Sequence, residues 1–287
     1  MTASVSVSAK PRSLLVFFAL AFGISWIAWI PTTLASHGLV SFQTNPTFSD
    51  LLGAFGPFFA ALITTAIYEG RAGFSLLFKR LLTWRVGIQW YVFVLLWSPM
   101  LSLAKTGIAV ALGNAVPNFS QPPFVALYPL PPELANTVPF IAFLPFVFLQ
   151  QMLIGSSMGE EPGWRGYALP RMQAQQGSFR ASLLLGLLWG VWHLPLWLTK
   201  GHPVQGSSLG WTVLGLIATT VLFTWVTNHT KGSLLLALLL HSSIAVTGLF
   251  LASAHAQPWI EVALSWGMVA LVMAGLEPKQ INGGNRK

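Results

Sequence analysis

The sequence predicts an all-α, polytopic bundle of about eight membrane-spanning helices with both termini in the cytoplasm. Three observations carry this. Charged residues make up 8% of the chain and apolar residues 54%, with a mean hydropathy of +0.66. A soluble domain carries roughly 25% charged residues, and a water-facing surface cannot be built from so few. Apolar stretches close to the ~20 residues that a spanning helix needs recur along the whole chain. Lysine and arginine fall in short runs between those stretches, where membrane topology places them.

The expected spans are 13–35, 49–68, 88–112, 138–158, 181–199, 208–228, 232–251 and 258–276. The first is too long for a signal-peptide core and lacks a cleavage site after it, so it reads as a retained helix. Pro99 and Lys105 interrupt the third. The turn Thr230-Lys231-Gly232 and the pair Gln257-Pro258 mark the starts of the last two. With Lys10 and Arg12 in the cytoplasm, the second–third connection (Arg71, Lys79, Arg80, Arg85) falls on the same side. So do the fourth–fifth connection (Arg165, Arg171, Arg180), Lys231 and the tail (Lys279, Arg286, Lys287). The opposite side receives Lys200 alone, the asymmetry an even number of spans produces.

Between the spans, Phe74 to Trp90 mixes large apolar residues with Lys79, Arg80 and Arg85 and reads as an amphipathic helix on the cytoplasmic face. Asn114 to Asn136 contains Pro122-Pro123 and Pro131-Pro132 and reads as an extended external loop. The chain is expected to form one transmembrane domain over 1–287, with a functional core over 138–250. No cysteine is present, which excludes disulfides, thiolate chemistry and iron–sulfur ligation. The net charge of +8 is distributed as topology requires, so nucleic acid is not an expected partner, whereas membrane lipid is.

Within this apolar background the run Gly159-Glu160-Glu161-Pro162-Gly163-Trp164-Arg165 stands out. A charge at membrane depth costs roughly 2.5–3.5 kcal/mol on insertion scales, so two acids together need a reason. Glu161 and Arg165 are four apart, share a helix face and can pair. Glu160 points about 100° away with no sequence-local cation and is the better candidate for a general base. Gly159 and Gly163 allow another helix to approach closely. The plainer alternative is an interfacial loop with solvated acids. His193 follows Trp189-Gly190-Val191-Trp192, and His241 lies between Leu240 and Ser242. Either alone is more often structural than catalytic. Together with the acids they can meet around one water, because lipid offers polar groups no other partner. One carboxylate and two imidazoles (Glu160, His193, His241) would also make a plausible zinc shell with an open position. No His-Glu-x-x-His helix is present, and the sequence leaves the choice open. Lys105 is expected to snorkel or pair with an acid. His37, His202 and His255 are expected in solvated external loops, His229 at an interface, and Asn228 at a helix end.

These residues carry a family resemblance. Glu160-Glu161-Pro162-Gly163-Trp164-Arg165-Gly166-Tyr167, then Trp189-Gly190-Val191-Trp192-His193, then His241, resemble the CPBP intramembrane proteases, also called the ABI or CAAX protease family. That family includes CAAX prenyl endopeptidases and bacterial proteins linked to bacteriocin processing and self-immunity. The resemblance covers roughly Val138 to Phe250. It implies that Glu160 activates the attacking water, that Glu161 and Arg165 support it, that His193 helps hold the water, and that His241 stabilises the oxyanion. The family often has Asn four residues after the last histidine, where this chain has Ala245.

The expected function is therefore intramembrane endopeptidase action on membrane-associated peptides or proteins, by glutamate-activated water, in the plasma membrane. The alternative is a non-proteolytic scaffold or immunity protein of the same fold, which Ala245 favours. A transporter would predict inverted repeats, and the sequence shows none.

Overall fold

The structure, a computed structural model, describes residues 11–41, 44–128, 131, 133, 137–251 and 256–275. Lys10, His255, Lys279, Arg286 and Lys287 lie outside the described residues. Those described form helices and connections, with no strand among them. Among the described residues six helical segments are long and apolar enough to cross a membrane, and two shorter apolar helices follow. The protein is a multi-pass integral membrane protein built as an all-α bundle.

The first span is one helix, α1 (Pro11–Ser36). The second is two, α2 (Pro46–Ala54) and α3 (Gly56–Tyr68). Asn45 caps α2 through a bond from the Phe48 amide. Pro57 has no N–H to offer the preceding turn, which accounts for the break at Phe55. The amphipathic helix is α4 (Gly70–Leu81), shorter than expected. The chain turns over 82–87 before α5 (Ile88–Ala111) begins after Gly87. The external connection is not wholly extended: α6 (Pro123–Leu127) buries Phe124, which stacks on Phe250 with centroids 4.5 Å apart.

The fourth span departs most from expectation. A 3₁₀ turn (Phe140–Phe143) leads into α7 (Leu144–Ile154). Gly155, with extended backbone, breaks the helix before α8 (Ser156–Glu161). A π-helical segment (Pro162–Ala168) follows without interruption, and then α9 (Leu169–Gln176). The acids are thus buried in helical structure, and the interfacial-loop alternative fails. Arg165 and Arg171 are buried as well, so they are not charges of an exposed connection.

The fifth span is α10 (Ser178–Trp192) and α11 (Leu194–Leu198), broken at His193 because Pro195 cannot donate to Val191. Helices α12 (Leu209–His229), α13 (Leu234–Phe250) and α14 (Pro258–Gly275) complete the chain within a few residues of their expected bounds.

Packing places the motif segment centrally. Helix α10 lies on α12 and α12 on α14. Helix α1 lies on α2 and α3, and α13 packs against α5, α7 and α8. Without a hydrophobic drive in lipid, contact depends on close fit. Aromatic rings supply it: Phe17 stacks on Tyr167 at 5.1 Å, and Trp29 meets Trp192 edge-on at 4.6 Å. Polar contacts identify the two ends of the bundle. At one, Arg80 bonds the carbonyl of Gly232. At the other, His37 Nε2 bonds the carbonyl of Leu198, and the Lys200 amide donates to Ser36. Arg80 and Lys231 therefore share one end and Lys200 lies at the other, as the charge pattern predicts.

Candidate active site

The site begins with two glycines. A Cβ on Gly159 would sit 2.5 Å from the carbonyl oxygen of Ala54, and one on Gly163 would sit 2.5 Å from that of Pro57. Only glycine lets the motif segment lie this close to α2 and α3. Pro162 occupies the first position of the π-helical segment, where its missing N–H does least harm.

This approach buries Glu160 (3% exposed), Glu161 and Arg165 (both 0%). Arg165 Nη1 donates to Glu161 Oε1 at 3.0 Å, the pair expected from the four-residue spacing. The guanidinium lies over Phe223 at 3.9 Å and Trp189 at 4.5 Å. The same Glu161 oxygen accepts from His241 Nδ1 at 2.7 Å. That bond fixes the ring with a proton on Nδ1 and turns Nε2 toward Glu160. The sequence does not show this link, which crosses from α8 to α13.

Glu160 is held differently. Its Oε2 accepts from Trp189 Nε1 at 2.6 Å and from Trp164 Nε1 at 3.3 Å. Its Oε1 stands 3.9 Å from His241 Nε2. Ser156 Oγ is 3.5 Å from that nitrogen and donates to Gln151 Oε1 at 3.4 Å. Sequence reasoning missed these partners. The tryptophans read as anchors and packing, and the signal that could have separated Trp164 is its place four residues after Glu160. Gln151, polar in an apolar helix, was a second signal.

His193 does not join the cluster directly. It ends α10, and Nδ1 donates to the Trp189 carbonyl at 2.8 Å. Its ring lies 5.8 Å from that of Trp189, which in turn lies 6.0 Å from that of His241. One indole thus stands beside both imidazoles. Among the described residues no three His, Asp or Glu side chains are grouped so as to hold a metal ion. The expected zinc set of Glu160, His193 and His241 does not fit this arrangement.

The remaining polar residues find plain partners. Lys105 pairs with Glu261 at 2.8 Å. His202 lies 3.5 Å from Asp50, and His37 bonds a backbone carbonyl, so neither is simply solvated. His229 bonds the Trp225 carbonyl and stacks on Trp90. Asn228 donates to Ser178 and accepts from Gln173, which ties α12 to the α9–α10 corner. Arg171 pairs with Glu69 and donates to the Tyr167 carbonyl at 2.6 Å. Ala245 is half-buried one turn beyond His241.

A buried carboxylate facing an imidazole, each with its far side fixed, defines an intramembrane site suited to general acid–base chemistry. Residues 138–247 match the family model described as type II CAAX prenyl endopeptidase Rce1-like. Over these residues the chain is similar to that family, in keeping with the motifs it carries. The chain is also similar to CAAX prenyl protease 2 of Methanococcus maripaludis, 29% identical over 140 residues, which is 47% of this chain and 49% of that protein. The alignment thus spans about half the length of the curated relative.

Proposed function

We propose that the protein is an intramembrane endopeptidase that hydrolyses peptide bonds of membrane-associated protein or peptide substrates. The observation that carries this is the 3.9 Å separation of Glu160 Oε1 and His241 Nε2. It is too long for a direct hydrogen bond. It suits one water bonded to both groups at ~2.8 Å, with an angle near 90° between the two contacts.

Glu160 takes a proton from that water as its oxygen attacks the scissile carbonyl. The proton then passes to the leaving amine as the C–N bond breaks, and Glu160 returns to its starting state. Trp189 and Trp164 hold Oε2, leaving Oε1 for the water. Glu161, held by Arg165, orients His241. His241, carrying a proton on each nitrogen between the two carboxylates, then donates Nε2–H to the oxygen where charge develops. His193 fixes the carbonyl end of α10 and, through it, Trp189.

The substrate class follows from the surroundings. A groove of about 660 Å³ between α5, α7 and α13 is lined by Leu95, Pro99, Leu144, Phe148, Val246 and Thr247. It also reaches Ser243, two residues beyond His241. Such a wall suits an apolar or lipid-modified flank on the peptide, and the relative's name points to a prenylated tail. The plasma membrane is the proposed location. The scaffold alternative has Ala245 as its only support.

The test is cleavage of a prenylated CAAX peptide by the protein in liposomes. Glu160→Gln keeps shape and removes the base, and general-base catalysis supplies ~100- to 10,000-fold, so cleavage is expected to fall by at least the lower figure. Undiminished cleavage by Glu160→Gln would sink the mechanism. Activity is expected to withstand chelation. Loss on chelation that zinc restores would place a metal at the site.

A further inference from the structure

The π-helical segment has a backbone problem. Leu169 donates its N–H five residues back, to Trp164. Residue 170 is proline and has no N–H. The carbonyl of Arg165 therefore lacks both helical donors that could reach it, at i+4 and at i+5. The carbonyl of Gly166 lacks its i+4 donor. Buried carbonyls left this way are costly, so partners must come from elsewhere.

They come from α4. Arg80 Nη2 donates to the Arg165 carbonyl at 2.9 Å, and Nη1 donates to that of Gly166 at 2.8 Å. Nε donates to the carbonyl of Gly232 at 2.8 Å. Gly232 adopts φ +74, and a Cβ there would lie 3.0 Å from Arg80 Nε. It closes the turn two residues before α13, the helix that carries His241. One planar guanidinium thus joins the segment bearing Arg165 to the head of the helix bearing His241. The hydrogen bonds of Arg80 go to these carbonyls and not to Glu160, Glu161, His193 or His241.

We propose that Arg80 is a positioning residue. It holds the π-helical segment and α13 in the register at which His241 Nδ1 reaches Glu161. Its kinetic consequence rests on the proteolytic reading above, whereas its structural consequence does not. Lysine keeps the charge but lacks the planar fork that serves three carbonyls in fixed directions.

The experiment compares the full-length wild type, Arg80→Lys and Arg80→Gln in liposomes. With the prenylated peptide, kcat is expected to fall ~10- to 100-fold in Arg80→Gln and less in Arg80→Lys, as small misplacements of reacting groups do. KM stays within about two-fold, because Arg80 touches no substrate. Full wild-type kcat in Arg80→Lys means that the residue is only a topological charge, and overturns the proposal. Hydrogen exchange is read in parallel without substrate. Amides over 163–171 and 232–236 are expected to exchange faster in Arg80→Lys while α14 keeps its protection. Unchanged exchange in those two segments, or loss of protection throughout the chain, overturns the proposal. A wild type that cleaves nothing removes the protease reading, and faster local exchange would still support the role of Arg80.

Discussion

Glu160 and Glu161 are adjacent, identical in chemistry and both buried, so the different roles proposed for them arise from neighbours alone. Glu161 shares one oxygen between a guanidinium and an imidazole. Glu160 receives two indole N–H groups on one oxygen and leaves the other beside His241. The same reasoning bears on the oxyanion. Ser242 bonds Ser157, and Ser243 donates to the Leu95 carbonyl, so both hydroxyls have partners away from His241. Ala245, one turn on, offers none. Ala245→Asn is therefore expected to raise kcat in the liposome assay, with a ceiling of ~100- to 1,000-fold, the usual worth of one oxyanion donor. A marked fall with unchanged expression would mean that the position serves packing. The Glu161–Arg165 pair was legible because helical spacing is a local rule. The Glu161–His241 bond was not, because it joins residues 80 apart and depends on how two helices dock. The chemistry of His193 places it at the same water, whereas its Nδ1 donates to the Trp189 carbonyl one turn back.

Prolines and glycines decide where the helices break and how closely they approach. Pro57 and Pro195 split two expected spans, and Gly155 splits a third before the acids. Hydropathy alone reads each as one span, since a break inside apolar sequence leaves the average unchanged. The π-helical segment leaves no mark in the hydropathy, and its sequence trace is the pair Pro162 and Pro170. The glycines give an element-level test. Gly163→Ala places a methyl against the Pro57 backbone, which cannot move aside cheaply. It is expected to cost ~1–3 kcal/mol and to lower the thermal midpoint in detergent. Gly107→Ala in α5 meets nothing within 4 Å. Helix propensity favours alanine there by ~1 kcal/mol, so the midpoint should hold or rise. Equal midpoints for the two variants would show that the close approach is not tight.

For the whole molecule, lysine and arginine separate the two ends of the bundle even though two of the arginines counted are buried. The remaining charges sufficed, because Arg80 and Lys231 meet at one end and Lys200 at the other. The absence of cysteine makes the orientation directly measurable. In Lys231→Cys and Lys200→Cys, an impermeant maleimide added to intact cells is expected to label position 200, and position 231 only in inverted vesicles. The opposite pattern would reverse the proposed cytoplasmic placement of the termini.

The close approach at Gly159 and Gly163 and the bonds from α4 have a consequence for modularity. The stretch matched by the family model, 138–247, carries every acid and imidazole of the site. Yet its backbone rests on Ala54 and Pro57, its carbonyls on Arg80, and Arg171 on Glu69, all upstream of that stretch. A graft of 138–247 onto another bundle would therefore transfer the reactive groups without what holds them in place. The unit that natural selection can exchange as a working whole extends back at least to α2.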